Sequence, residues 1–337
     1  MKTYVMKIST LSALVLLLTS SVEAIDPPHW DHDNGLASGN QGPDGTYWGI
    51  IKSEKATAND AGLYGDMKLV YAECAVGSHQ SPIAINLTAN PIPLTLNPIT
   101  HSSDKNPPAE PERRADSLVV RYAPSTSSTE GAAIGTDQGN AYVFRNSGHA
   151  VQVSFSKGYP GRLAIGKDVY PLVQFHFHTP SEHIVVTDQF PAGKSYQGEL
   201  HFVHQRDDGR LAVLGVFLDA SKDYPENPIL KKIIDNTPSK HDTYNQGQTT
   251  AGLFLDPSHL IPAENEHVFT YAGSLTTPPC SEGVSWYVMS EPLKVNGNQI
   301  DALQAKLGEA NNRIVQNTNA RTVEIRKDLH LDHGYGH

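Results

Sequence analysis

Gln174-Phe175-His176-Phe177-His178 alternates polar and aromatic side chains with a period of two. In a β-strand successive side chains point to opposite faces. Gln174, His176 and His178 therefore share one face, and Phe175 and Phe177 the other. A chain with this stretch must bury one face and hold something polar on the other. Glu199-Leu200-His201-Phe202-Val203-His204 repeats the design, with Glu199, His201 and Val203 opposite Leu200, Phe202 and His204. Laid side by side, the two strands bring His176, His178 and His201 to one point. Three nitrogen ligands with a fourth position open is the arrangement of catalytic zinc. A lone His-x-His is more often an ordinary polar pair. Here, however, Gln174 and Glu199 each stand two residues before a candidate ligand on the same face, where a metal-bound imidazole needs an acceptor for its second nitrogen.

The N-terminus carries Lys2 and Lys7, then an apolar run from Leu11 to Leu18, then Ser21-Val22-Glu23-Ala24 with small residues at the positions a signal peptidase reads. That run is too short to span a bilayer, so residues 1–24 are expected to be a cleaved signal peptide and not an anchor. The chain is exported on this reading, to the periplasm or the exterior. The full chain has a formal net charge of −10. A surface this acidic excludes nucleic acid or an anionic membrane as a partner held by general attraction. Cys74 and Cys280 are the only cysteines, and an even count in an exported chain makes one disulfide the default.

Short alternating runs rich in Gly, Pro, Asn and Thr suit a loop-rich β architecture. Strands are expected at 142–145, 150–156, 172–178, 182–187, 198–205, 211–218, 268–271 and 284–289, with short helices from Pro225 to Ile234 and from Gln299 to Lys306. The fold class is mainly β: a large central, mostly antiparallel twisted sheet with a few short peripheral helices. Residues 25–44 read as a flexible arm, 45–326 as one catalytic domain, and 327–337 as a His-rich solvated tail. Residues 101–116 and 124–140 lack an apolar period and read as surface loops. His149, in the turn Asn146-Ser147-Gly148-His149, is a candidate proton carrier, since imidazole titrates near neutrality.

Gln80-Ser81-Pro82-Ile83, Asn146–His149, the segment 174–183, Glu199–His204, Leu211–Gly215 and Ser274–Pro279 with Trp286 occur in an order and spacing that resembles the α-class carbonic anhydrases of the bacterial exported type. The resemblance implies a zinc enzyme interconverting carbon dioxide and bicarbonate through a zinc-bound hydroxide. Its zinc ligands fall on His176, His178 and His201, and the residues that orient them on Gln174 and Glu199. Thr276 takes the position that orients the hydroxide, with Glu182 as its carboxylate partner and His149 as the proton shuttle. Thr277, Val203, Val213, Leu275, Trp286 and Asn146 are implied to line the substrate pocket. Exported members often join the equivalents of Cys74 and Cys280. Two positions depart from the family pattern: Ile50 stands where a tyrosine is usual, and Thr179 where a tryptophan is common.

The chemistry agrees with these roles. Three neutral imidazoles on zinc bring the pKa of bound water from 15.7 to about 7, a known property of this enzyme class. An uncharged substrate needs only an apolar wall to hold it beside the nucleophile. Activated esters would react as a side activity. One rival is a cupin-like oxygenase, which also uses His-x-His but normally adds a carboxylate ligand. The other is a secreted binding or adhesion module with weak or no catalysis. The first gives no reason for Leu275-Thr276-Thr277-Pro278-Pro279, and intact His176, His178, His201, Glu182 and Thr276 argue against the second. The sequence leaves monomer and homodimer open.

Overall fold

The computed structural model describes residues 73–88, 117–126, 142–239, 253–263, 267–327 and 329–331. The expected signal peptide, the arm, Ile50, loop 101–116, the part of 124–140 between Thr126 and Tyr142, and the tail beyond Leu331 lie outside the described residues.

In chain order the strands are β1 (Ala84–Asn86), β2 (Leu118–Arg121), β3 (Ser125–Thr126), β4 (Tyr142–Asn146), β5 (Val151–Phe155), β6 (Arg162–Ile165), β7 (Asp168–His178) and β8 (Ile184–Val186). They continue as β9 (Gly198–Gln205), β10 (Leu211–Ser221), β11 (Phe254–Leu255), β12 (Val268–Ser274), β13 (Glu282–Met289), β14 (Leu293–Asn296), β15 (Glu324–Arg326) and β16 (Leu329–Leu331). The helices are α1 (Glu73–Val76), α2 (Pro228–Asn236) and α3 (Gly297–Leu307). Among the described residues none is long and apolar enough to cross a membrane.

Twelve of the described strands form one sheet, whose main path runs β15-β12-β13-β10-β9-β7-β6-β2-β16. β14 also pairs with β10, and β5 joins β7 and carries β4 on its other edge. Most neighbours are antiparallel, as expected from sequence. The exceptions in this sheet are β13 and β14 on β10, and β16 on β2, which are parallel.

Both faces of the central strands are covered, and the residue pattern divides them. Phe175, Phe177, Leu200, Phe202, Leu214 and Val216 pack into the larger core with α2 and α3. Val203, Val213, Phe217, Tyr271 and Trp286 form a second cluster on the side that carries the histidines. The pairing of β7 with β9 shifts register between Leu172 and Gln174. This irregularity lets Leu172 and Phe175, an odd number of residues apart, share the larger core. Helix α2 begins where Asn227 Oδ1 accepts from the backbone N–H groups of Ile229 and Leu230, with Pro228 as its first residue. Helix α3 ends at Gly308, whose φ of 84° suits glycine.

Three expectations need correction. Ser125–Thr126, within the region read as loop 124–140, pairs with β11 as a short antiparallel strand. Leu329–Leu331, within the region read as solvated tail, pairs in parallel with Leu118–Val120 and buries Leu329. The strand expected from Glu182 starts only at Ile184. The reason is local: the backbone N–H groups of Glu182 and His183 both donate to Glu199 Oε2, at 2.9 and 2.8 Å, and are lost to any ladder.

Candidate metal centre

The register of the two histidine strands sets the site. In the β7–β9 pairing His176 lies directly opposite His201, and His178 opposite Glu199. Their side chains leave the sheet on the same face, away from the phenylalanines. The ring centroids of His176, His178 and His201 are 4.7 to 5.3 Å apart. One nitrogen from each ring lies within 4.8 Å of the others, close enough to share one metal ion.

Hydrogen bonds decide which nitrogens these are. His176 Nδ1 lies 2.9 Å from Gln174 Oε1, His178 Nδ1 2.8 Å from the backbone oxygen of Asn311, and His201 Nε2 2.9 Å from Glu199 Oε1. Each of these acceptors takes the ring N–H. The lone pairs left are on His176 Nε2, His178 Nε2 and His201 Nδ1. Among the described residues, buried His178 Nε2 has no hydrogen-bond partner. A buried orphan of this kind is costly unless something fills the position. The donor set fits zinc, which takes three imidazoles and keeps a fourth position.

Burial also keeps these rings neutral, as metal ligands must be. It pushes His178 down to about 4, His176 well below its ordinary value, and His201 down against the pull of Glu199. Burial alone would raise Glu199, but His183 and His201 beside it, and the hydrogen bonds they donate, hold it well below the usual carboxylate range.

Glu182 lies on the other side of the cluster, fully buried. Its Oε1 accepts from the backbone N–H of Arg313 at 2.8 Å. Its Oε2 has no partner of ordinary hydrogen-bond geometry, although the Thr276 hydroxyl is near enough to pull the carboxyl's pKa down. Burial dominates and raises Glu182 to about 7, against His201, Arg313 and Thr276. A bound dication would add a further pull toward the ionised form.

Thr276 is buried, and Thr277 partly so, in the turn between β12 and β13. That turn is closed by Cys280 N–H on Thr277 O at 2.9 Å and anchored by the Cys74–Cys280 disulfide. Val203, Val213 and Trp286 share one apolar cluster, with Leu275 packed against it. The Trp286 ring lies 4.8 Å from that of His201, and its indole N–H donates to Ser274 O. The Asn146 amide nitrogen donates to Pro238 O and Lys306 O, at 3.2 and 2.8 Å, and its oxygen accepts from Gly148 N–H, so it ties β4 to the ends of α2 and α3.

The family is decided by comparison. The model of the eukaryotic-type carbonic anhydrase family matches residues 119–327. The chain belongs to the α-carbonic anhydrase family. It is 34% identical over 260 residues to a carbonic anhydrase of a Nostoc species, covering 77% of this chain and 80% of that one. It is 30% identical to a carbonic anhydrase of Neisseria gonorrhoeae, covering 82% and 87%. Among solved structures it resembles an α-carbonic anhydrase of Thermovibrio ammonificans bound to sulfanilamide, with a TM-score of 0.59, 31% identity and coverage of 88% and 98%. Carbonic anhydrases act on carbon dioxide and bicarbonate, and the α class are zinc enzymes.

Several residues of this carbonic anhydrase site were not singled out by sequence. His183, directly after Glu182, joins Glu199 to Tyr271. His183 Nε2 lies 2.7 Å from Tyr271 Oη, which lies 2.9 Å from Ser81 Oγ. Arg313 is buried, and its guanidinium donates to Gln80 Oε1, Ser81 O and Cys74 O. Gly215 stands opposite His201, and a Cβ there would come 3.2 Å from Glu199 Oε1. Gln152 pairs with His176 from β5. Alternation places Gly215 and Gln152 on the histidine face of their strands, and Gly215 closes the Leu211–Gly215 motif. Asn311 and Arg313 come from an irregular segment with no period to read.

Proposed function

We propose that His176 Nε2, His178 Nε2 and His201 Nδ1 hold a zinc ion and that this centre hydrates carbon dioxide reversibly. The observation that carries the reading is the convergence of three ring nitrogens whose partner nitrogens are each already donated, to Gln174, Asn311 and Glu199. When bound, the ion supplies Lewis acidity that makes water a nucleophile near neutral pH.

The chain's own residues do the rest. Thr276 Oγ1 accepts a hydrogen bond from the nucleophile and its hydroxyl donates one to Glu182, which fixes the direction of attack. Glu182 is held for this by the Arg313 backbone N–H. Val203, Val213, Leu275 and Trp286 form an apolar wall that keeps an uncharged substrate beside the nucleophile, and Thr277 borders it. His149, in the turn that leads into β5, takes the released proton through water and passes it to buffer. Activated esters react slowly at the same centre. The export signal over residues 1–24 is part of this reading, supported by a disulfide suited to an oxidising compartment.

Stopped-flow hydration of carbon dioxide, with metal content read on the same samples, tests the proposal on wild type and His201→Ala. Activity with about one zinc per chain, both lost in the variant, is the expected result. Zinc retained in an inactive wild type would move the fault to Thr276 or Glu182. Absence of both would end the enzymatic reading of this chain.

A further inference from the structure

Asn311 lies in the irregular segment after α3, far in sequence from everything it holds. It is 2% exposed. Its main-chain oxygen accepts from His178 Nδ1 at 2.8 Å. Its side chain does something separate. Nδ2 donates to His149 O and to Phe177 O, both at 2.9 Å, and Oδ1 accepts from Thr179 N–H at 2.8 Å. A carboxamide has two N–H donors and an acceptor oxygen, and here both donors are spent on two different chain segments. Phe177 and Thr179 flank the ligand His178 on β7. His149 belongs to the turn between β4 and β5. One buried side chain thus bolts the His149 turn to the strand end that carries the metal ligands.

Asn146 ties the start of the turn to the ends of α2 and α3 and accepts from Gly148 N–H, while Asn311 ties its far end to β7. Within it Ser147 accepts from the backbone N–H groups of His149 and Ala150, and donates to Ala150 O. These bonds shape the turn but do not fix its distance from β7. Strand β5 pairs with β7 only from Val151 onward.

We propose that the Asn311 carboxamide is a positioning residue for proton transfer, holding His149 at a fixed distance from the centre formed by His176, His178 and His201. This rests on the reading of His149 as proton carrier given above. Transfer through a water chain depends steeply on the separation of its ends, whereas attack on the substrate does not involve His149. Loss of the carboxamide should therefore slow the proton-transfer step and spare the chemical one. The acceptor of His178 is the main-chain oxygen of residue 311, which the substitution does not remove.

The test is Asn311→Leu, nearly isosteric and without polar atoms, with Asn311→Ser as the smaller change should the first fail to fold. His149→Ala and the double variant His149→Ala/Asn311→Leu complete a cycle. Carbon dioxide hydration is followed in a bulky buffer with and without added imidazole, which delivers and removes protons without His149. The expected result is a kcat lower by roughly 3- to 10-fold in bulky buffer, restored by imidazole, with kcat/KM within about twofold of wild type and zinc retained. In the double variant the imidazole-restorable loss should equal that of His149→Ala alone. If kcat and kcat/KM fall together, or if the restorable losses of the two sites simply multiply, Asn311 is structural only and the proposal is overturned. If His149→Ala itself shows no restorable loss, the shuttle reading fails. If it does and the Asn311 variants do not, only the inference about Asn311 fails.

Discussion

His183 Nδ1 lies 2.6 Å from Glu199 Oε1, and that same oxygen lies 2.9 Å from His201 Nε2. With the two backbone N–H groups on Oε2, the carboxylate accepts four donors and has no freedom to turn. It fixes the tautomer of His201 so that Nδ1 faces the position proposed for the metal. His183 in turn passes its other nitrogen to the Tyr271 hydroxyl, so the ligand is oriented by a chain that ends at Ser81. Glu199→Gln would set an NH2 group against donors on at least one side. Zinc affinity should fall roughly 10- to 100-fold, read by competition with a chelator at pH 7. An affinity within about twofold of wild type would show that the chain does not tune the metal.

In the proposed mechanism Thr276 acts through its hydrogen bond to Glu182 and is not a ligand. Thr276→Ala should keep its zinc and lose on the order of 100-fold in kcat/KM, the scale expected when a reacting group is misdirected. Thr276→Ser, which keeps the hydroxyl, should recover most of it. Zinc loss in Thr276→Ala, or no recovery with serine, would contradict the orienting role.

His204 tests the opposite face. It is fully buried, with Nε2 at 2.9 Å from the Tyr122 hydroxyl and Nδ1 at 3.2 Å from Ala212 O. Burial lowers its pKa to about 3. The unfolded chain, with an ordinary histidine near 6.5, therefore takes up a proton that the folded chain refuses. The associated stability is complete above about pH 6.5 and is lost as pH falls toward 3. Between pH 7 and 5 this one group should cost about 2 kcal/mol. Urea unfolding of wild type and His204→Gln at both pH values should show the variant with the shallower decline. Equal declines would mean that His204 does not carry the difference.

The disulfide closes a separation of 206 residues and fastens α1 to the end of the Thr276 turn. Cys74→Ser with Cys280→Ser should lower unfolding stability by about 2–5 kcal/mol. The reduced wild type should unfold at a similar urea concentration. A change under about 0.5 kcal/mol would mean that Arg313 and Gln80, which hold Cys74 O and Cys280 O, keep the turn in place by themselves.

Alternation made β7, β9 and β10 legible in the sequence, because a strand with one polar and one apolar face has only one way to sit on a core. It also gave the three histidines, since a strand fixes which neighbours share a face. Asn146, which the resemblance put at a polar pocket position, spends its amide on the ends of α2 and α3, contacts no local pattern shows. The strand at Leu329–Leu331 was missed because it has three residues and its partner, β2, lies some two hundred positions away.

The sequence by itself determined the composition of the centre: which residue types, on which strands, facing which way. Only the tertiary structure decided the partners that make it work. Asn311, Arg313 and Tyr271 reach it from 133, 131 and 88 residues away, and Ser81 joins it through Tyr271. Local periodicity carries no information about contacts at that range. Those partners are set by how the sheet and the segment after α3 close over one another, where every buried donor must find an acceptor.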